Sequence, residues 1–184
     1  MGQIASRGQI RMAFVRWALV MVPLLLLLGI ASGLFSGSGY GNRWFAALNK
    51  PAALPPAWLF PVAWTILYIL MGFALALILG ARGARGRRIA IAFFVVQFVL
   101  NLAWSPLFFA AHQVDAALVL IVVLLVAVAL TTWHFARIRP VAGLLLAPYL
   151  FWLVFAAYLN YEIARLNPDA GMLAPGGAST QISV

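Results

Sequence analysis

The chain has 184 residues, 66% of them hydrophobic and 8% charged. No soluble domain of that size could hide so much apolar surface, so the composition calls for a bilayer. The formal charge of +9 comes without a single cysteine, which excludes disulfides, thiolate catalysis and cysteine-ligated metals; the basic residues sit at the ends of apolar runs, as the positive-inside rule places them, and do not call for nucleic acid.

Residues 1–16 read as a basic tail with Arg7, Arg11 and Arg16. The first apolar run, Trp17 to Phe35, is longer than the roughly 7–15 residues of a secretory h-region, so it reads as a spanning helix and not a cleaved signal. It carries Pro23, which implies a bend, and Gly29 and Gly33 at a spacing that allows close helix packing, expected within a homodimer. Ser36 to Pro56 is the long loop. Within it Asn42 can cap a short helix, Arg43 to Asn49, with Trp44, Phe45 and Leu48 on its apolar side and Pro51 as its stop. A loop of this length with such aromatics reads as a lid or binding loop.

Four more apolar runs follow: Ala57 to Gly80, Ile89 to Ala111, Ala116 to Ala136 and Val141 to Ala164. Each approaches or exceeds the about 20 residues needed to cross the hydrocarbon core. Backbone amides in lipid must be satisfied internally, so each run must be a helix. The connections after the long loop are short, so neighbours in sequence should be antiparallel. Asp115 sits where the dipole of the fourth helix favours a carboxylate. The fold class is therefore all-α integral membrane, a five-transmembrane-helix bundle with one membrane domain over residues 17–166. Residues 167–184, rich in Pro, Gly, Ser and Thr, read as a disordered tail.

Nine of the 12 Lys/Arg fall on one side: Arg7, Arg11, Arg16, Arg82, Arg85, Arg87, Arg88, Arg137 and Arg139. Arg43, Lys50 and Arg165 fall on the other. That asymmetry places the N-terminus in the cytoplasm and the C-terminus outside. All but one of the 12 are arginine, which suggests a GC-rich bacterial gene and hence a bacterial cytoplasmic membrane, with the mitochondrial outer membrane as the alternative.

Polar side chains at membrane depth are costly and usually face protein or a cavity. Gln97, Asn101, Trp104 and Ser105 share one helix face. Tyr149, Trp152, Ala156 and Asn160 share another, and Trp64, Thr65 and Tyr68 lie together on a third helix. Pro61, Pro106 and Pro148 lie beside these groups and can kink the helices. Such residues also serve as interhelical glue and interfacial belts, and Trp17, Trp58 and Trp133 read as belt. Trp64, Asn101, Trp104 and Trp152 read as the lining of a slot for a flat apolar ligand, which one or two amides would orient. Three acids, two histidines and no cysteine assemble no acid–base, nucleophilic or metal constellation, which weighs against an enzyme. Leu159, Tyr161 and Arg165 fit a proposed sterol pattern, but equally an interfacial tyrosine followed by a snorkelling arginine.

The segments Trp44-Phe45-Ala46-Ala47-Leu48-Asn49-Lys50-Pro51, Pro55-Pro56 and Phe60 through Tyr68, then Asn101 through Phe109, Pro148 through Trp152 and Leu159 through Glu162, together resemble the translocator protein family. That family is also called TspO/MBR, the tryptophan-rich sensory proteins and the peripheral-type benzodiazepine receptors. The resemblance covers residues 17–167. It implies a homodimeric five-helix bundle that binds tetrapyrroles such as protoporphyrin IX and haem as ligands, with no cofactor required. It also implies binding of sterols and of synthetic benzodiazepine-type or isoquinoline compounds. The family's pocket falls on Phe45, Trp64, Asn101, Trp152 and Ala156, and its sterol motif on Leu159, Tyr161 and Arg165. With Trp44, Tyr68, Trp104 and Tyr149 from the shared faces, these make the candidate site. The pattern departs at Ala52 and Ala53, where the family usually carries one or two tryptophans on which porphyrin photochemistry would rest. The expected function is tetrapyrrole binding as a sensor or regulator. Porphyrin or sterol transport and porphyrin degradation are the alternatives, and the absence of paired broken helices or coupling carboxylates counts against a secondary transporter.

Overall fold

A computed structural model describes residues 7–173. Among the described residues five helices are long and apolar enough to cross a membrane: α1 (Arg7–Phe35), α3 (Leu59–Gly80), α4 (Arg87–Ser105, continued by a π-helical turn over Pro106–Ala110), α5 (Val114–Ile138) and α6 (Pro140–Leu166). A short helix α2 (Arg43–Ala47) lies in the long loop, and a 3-10 turn (Ala170–Leu173) follows α6. The five spans match the five apolar runs to within a few residues, except at the start. There the helix begins at Arg7, so the described part of the basic tail is helical. At about 1.5 Å per residue its 29 residues reach about 43 Å, well beyond a hydrocarbon core of about 30 Å, so the helix is long enough to extend past it.

The helices form a ring. α1 packs along α3, α3 along α6, α6 along α5 and α5 along α4, and α4 closes onto α1 and α3. Small residues set the closest approaches. A Cβ on Gly72 of α3 would stand 2.8 Å from the backbone of Val22 in α1, and one on Gly29 would stand 2.2 Å from the Tyr68 ring. Gly29 thus allows a close approach within the chain, as the seat of Tyr68.

Helix ends are closed by side chains. Arg87 donates from Nε to the Ile78 carbonyl and from Nη2 to the Leu79 carbonyl, both at 2.9 Å, and so caps the C-terminus of α3. Pro106 has no N–H for the Leu102 carbonyl four residues back. Ser32 of α1 donates its hydroxyl to that oxygen at 2.7 Å. Beside it the Ser36 and Ser105 hydroxyls meet at 2.7 Å, so the proline break in α4 is also the place where α1 is fastened.

Residues 167–173 correct the expectation of a disordered tail from 167 onward. Asn167 is buried, and its amide donates to the Ile163 carbonyl at 2.8 Å and to the Asn49 carbonyl at 2.9 Å. Ala170 is buried as well. The remainder of that tail, 174–184, and residues 1–6 lie outside the described residues.

Candidate functional site

Two aromatic clusters occupy one half of the bundle. The inner one is built on α3, α4 and α6. Trp64 and Tyr68, one helical turn apart, stack with ring centroids 5.4 Å apart. Trp64 meets Tyr149 edge-on at 6.3 Å and Trp152 edge-on at 6.4 Å. At its centre is a buried hydrogen-bond chain. The Tyr68 hydroxyl donates to Asn101 Oδ1, and Asn101 Nδ2 donates to the Tyr149 hydroxyl, each at 2.9 Å. Asn101 and the two tyrosines are all nearly inaccessible. Turning the amide round reverses both bonds, and either way one phenolic hydrogen finds no acceptor among the described residues.

The outer cluster closes the end of the bundle. Asn42 caps α2 by accepting from the Phe45 N–H at 3.0 Å, as its sequence position implies. The helix ends at Ala47, two residues short of the expected Asn49, where Lys50 donates to the Ala46 and Leu48 carbonyls. Trp44 and Phe45 point into the bundle, 2% and 5% exposed. They land on the π-helical turn: Trp44 lies edge-on to Phe108 at 5.4 Å and Phe45 to Phe109 at 5.4 Å. The π turn inserts one residue into the helical register, and its Ala111 N–H bonds to the Pro106 carbonyl. That register presents Phe108 and Phe109 together to the lid. His112 follows in the left-handed region at φ 57°, with its ring 4.6 Å from that of Trp44.

The lid is tied down by residues distant in sequence. The Asn49 N–H donates to Asn167 Oδ1 at 2.7 Å, and Asn167 Nδ2 returns a bond to the Asn49 carbonyl. The Trp44 indole N–H donates to the Ala170 carbonyl at 2.8 Å. Tyr40 donates to the Pro55 carbonyl and packs on Phe45 and Phe60; partial desolvation raises its phenol above the usual range.

The structure therefore brings Trp64, Tyr68, Asn101, Tyr149 and Trp152 into one cluster and Trp44 and Phe45 into the other. Trp104 packs between the bundle core and the outer cluster. It stacks on Phe108 at 5.0 Å and donates to Asn160 Oδ1 at 3.2 Å, so it sits toward the lid and not on Asn101 as the slot required. Ala156, half-buried, packs against the buried core of the bundle, which includes Tyr68 and Tyr149. The sterol-pattern residues do not share a surface. Leu159 is buried, while Tyr161 and Arg165 face outward and Arg165 pairs with Glu162 at 2.8 Å. Sequence reasoning missed Phe60, which meets Trp152 edge-on at 5.9 Å, and Phe108, Asn167 and Ala170. Phe60 lies one turn before Trp64, a helical spacing that could have found it.

A groove of about 440 Å³ runs along the outside of the inner cluster, between α3 and α6. Ala63 and Leu67 line one side, and Pro148, Phe151, Trp152 and Phe155 the other.

A family model described as TspO/MBR matches residues 20–166. The chain belongs to the TspO/MBR family. It is 43% identical over 148 residues to the tryptophan-rich protein TspO of Chlorobaculum tepidum, covering 80% of this chain and 93% of that one. It is 40% identical over 126 residues to the tryptophan-rich sensory protein of Cereibacter sphaeroides, covering 68% and 78%. To the translocator protein of Homo sapiens it is 38% identical over 141 residues, covering 73% and 83%. The family match takes in α1 from residue 20, the other four membrane helices, the lid helix α2 and both aromatic clusters.

Proposed function

We propose that this integral membrane protein binds a tetrapyrrole, protoporphyrin IX or haem, in the inner aromatic cluster and acts as a sensor or regulator of its level. The observation that carries the reading is the Tyr68–Asn101–Tyr149 chain set among Trp64 and Trp152. Flat rings supply stacking and edge contacts for a planar macrocycle. The spare phenolic hydrogen supplies an oriented donor in a dry interior, where one polar contact weighs heavily. Nothing in the cluster is a strong acid or base, so it suits recognition better than turnover. Ala52 and Ala53, both exposed on the lid, leave those two positions without the indole on which the family's photochemistry would rest. The names of relatives, sensory protein and translocator protein, agree with a membrane sensor or carrier. Arg11, Arg16, Arg82, Arg85, Arg87, Arg88, Arg137 and Arg139 belong to the helix ends and loops away from the lid, against Arg43, Lys50 and Arg165 at the lid end, which supports a cytoplasmic N-terminus and a lid facing outward.

Titration of the detergent-solubilised protein with protoporphyrin IX, with cholesterol in parallel, tests the reading through tryptophan quenching. Trp152→Ala should weaken porphyrin binding at least about tenfold, or about 1.4 kcal/mol. Unchanged affinity in a folded Trp152→Ala protein rules out this site.

A further inference from the structure

We propose that the groove between α3 and α6 is a lateral port, through which a flat apolar ligand dissolved in the bilayer reaches the inner aromatic cluster, with Trp152 as its inner wall. The ligand class rests on the reading above. The groove lies between two membrane-spanning helices and opens outward, so hydrocarbon and not water fills its mouth. Its lining is almost wholly apolar, and its volume falls in the range of about 300–1,000 Å³ typical of small-molecule sites. Ala63 is small and Pro148 short, so the two helices leave a gap at that level which a larger pair would fill.

The groove is continuous with the site. Leu67 belongs both to the groove and to the buried core, and Trp152 lines the groove on one side while meeting Trp64 and Phe60 on the other. The Trp152 indole N–H makes no hydrogen bond among the described residues, so swinging the ring breaks ring contacts alone. Among the described residues the lid end is closed. Trp44, Phe45 and Leu48 are each 5% exposed or less, and the lid is held by the Asn49–Asn167 pair and the Trp44–Ala170 bond.

The test uses the full chain in phospholipid nanodiscs, with protoporphyrin IX delivered from vesicles and association followed by tryptophan quenching. Ala63→Phe, which fills the groove, should slow association at least about tenfold while equilibrium affinity stays unchanged. Phe151→Ala, at a position 78% exposed where truncation spares the fold, should speed it. Asn167→Ala, which unlatches the lid, should leave the rate as it was. Unaltered rates in both groove variants, or acceleration confined to Asn167→Ala, would overturn the port. A second arm needs no tetrapyrrole: phospholipids with dibrominated acyl chains should quench Trp152, read as the difference from Trp152→Phe, and Ala63→Phe should abolish that quenching. If the unaltered protein takes up no protoporphyrin, the ligand reading fails, and the port is decided by the bromolipid arm, where an unquenched Trp152 overturns it.

Discussion

The inner cluster and the lid are both aromatic and both held by asparagine, yet they are stabilised on different terms. In the inner cluster Asn101 bridges two phenols between membrane-spanning helices, where no water competes for the bonds. At the lid Asn167 bridges backbone groups at the mouth of the bundle, where water can replace what is lost. A hydrogen bond is worth little net when water stands ready, but a buried partner left unpaired costs its full desolvation. The same residue type therefore acts as a structural keystone in one place and as a releasable latch in the other.

The largest expected effect breaks the first half of that comparison. Asn101→Ala leaves two buried hydroxyls without partners and should cost about 3 kcal/mol, at roughly 1–3 kcal/mol for each stranded group. Denaturation of the detergent-solubilised protein measures it. In a Tyr68→Phe, Tyr149→Phe background the same position should accept leucine at little cost, because no polar group is then left over. A small loss in the first case, or a large one in the second, would show that packing and not the polar chain holds the cluster.

Asn167→Ala should cost about 1 kcal/mol, and locally. Amide exchange and proteolysis should rise over residues 43–50, while the unfolding of the five-helix bundle moves little. Trp44→Phe, which keeps a ring but removes the bond to Ala170, should add to the loosening. Uniform destabilisation of the whole chain would erase the distinction between latch and keystone.

The two regions also differ in how far the sequence discloses them. The spans are legible because lipid leaves helix as the option for a run of that length. The inner residues are legible because Trp64 and Tyr68, or Tyr149 and Trp152, sit at helical spacing and share a face. Asn42 is legible as a cap because the cap is local. The strap over the lid is not. Pro, Gly and Ser in the last stretch have the composition of a free tail, and nothing local says that Asn167 will meet Asn49 or Ala170 the Trp44 indole. Long-range pairing likewise hides the bond from Ser32 to Leu102, although Pro106 announces that some donor must come. The split of the sterol pattern was available in advance: residues two apart on a helix lie about 200° apart around it, so Leu159 turns inward where Tyr161 turns outward.

Gln97 sharpens the comparison from a third direction. It lies on the same face of α4 as Asn101, one turn away, and is 1% exposed, yet neither its Oε1 nor its Nε2 has a partner among the described residues. If being satisfied is what makes Asn101 stabilising, an unsatisfied amide beside it should be a liability. Gln97→Met keeps the length of the side chain and removes both stranded groups, so it should stabilise the bundle by about 1 kcal/mol, the reverse of the effect at Asn101. The same denaturation assay measures it, with and without protoporphyrin IX. Stabilisation that is unaffected by the ligand marks Gln97 as a plain cost of the fold. A loss of stability instead would mean that its amide is satisfied by an internal water, whose two or more bonds the methionine strands.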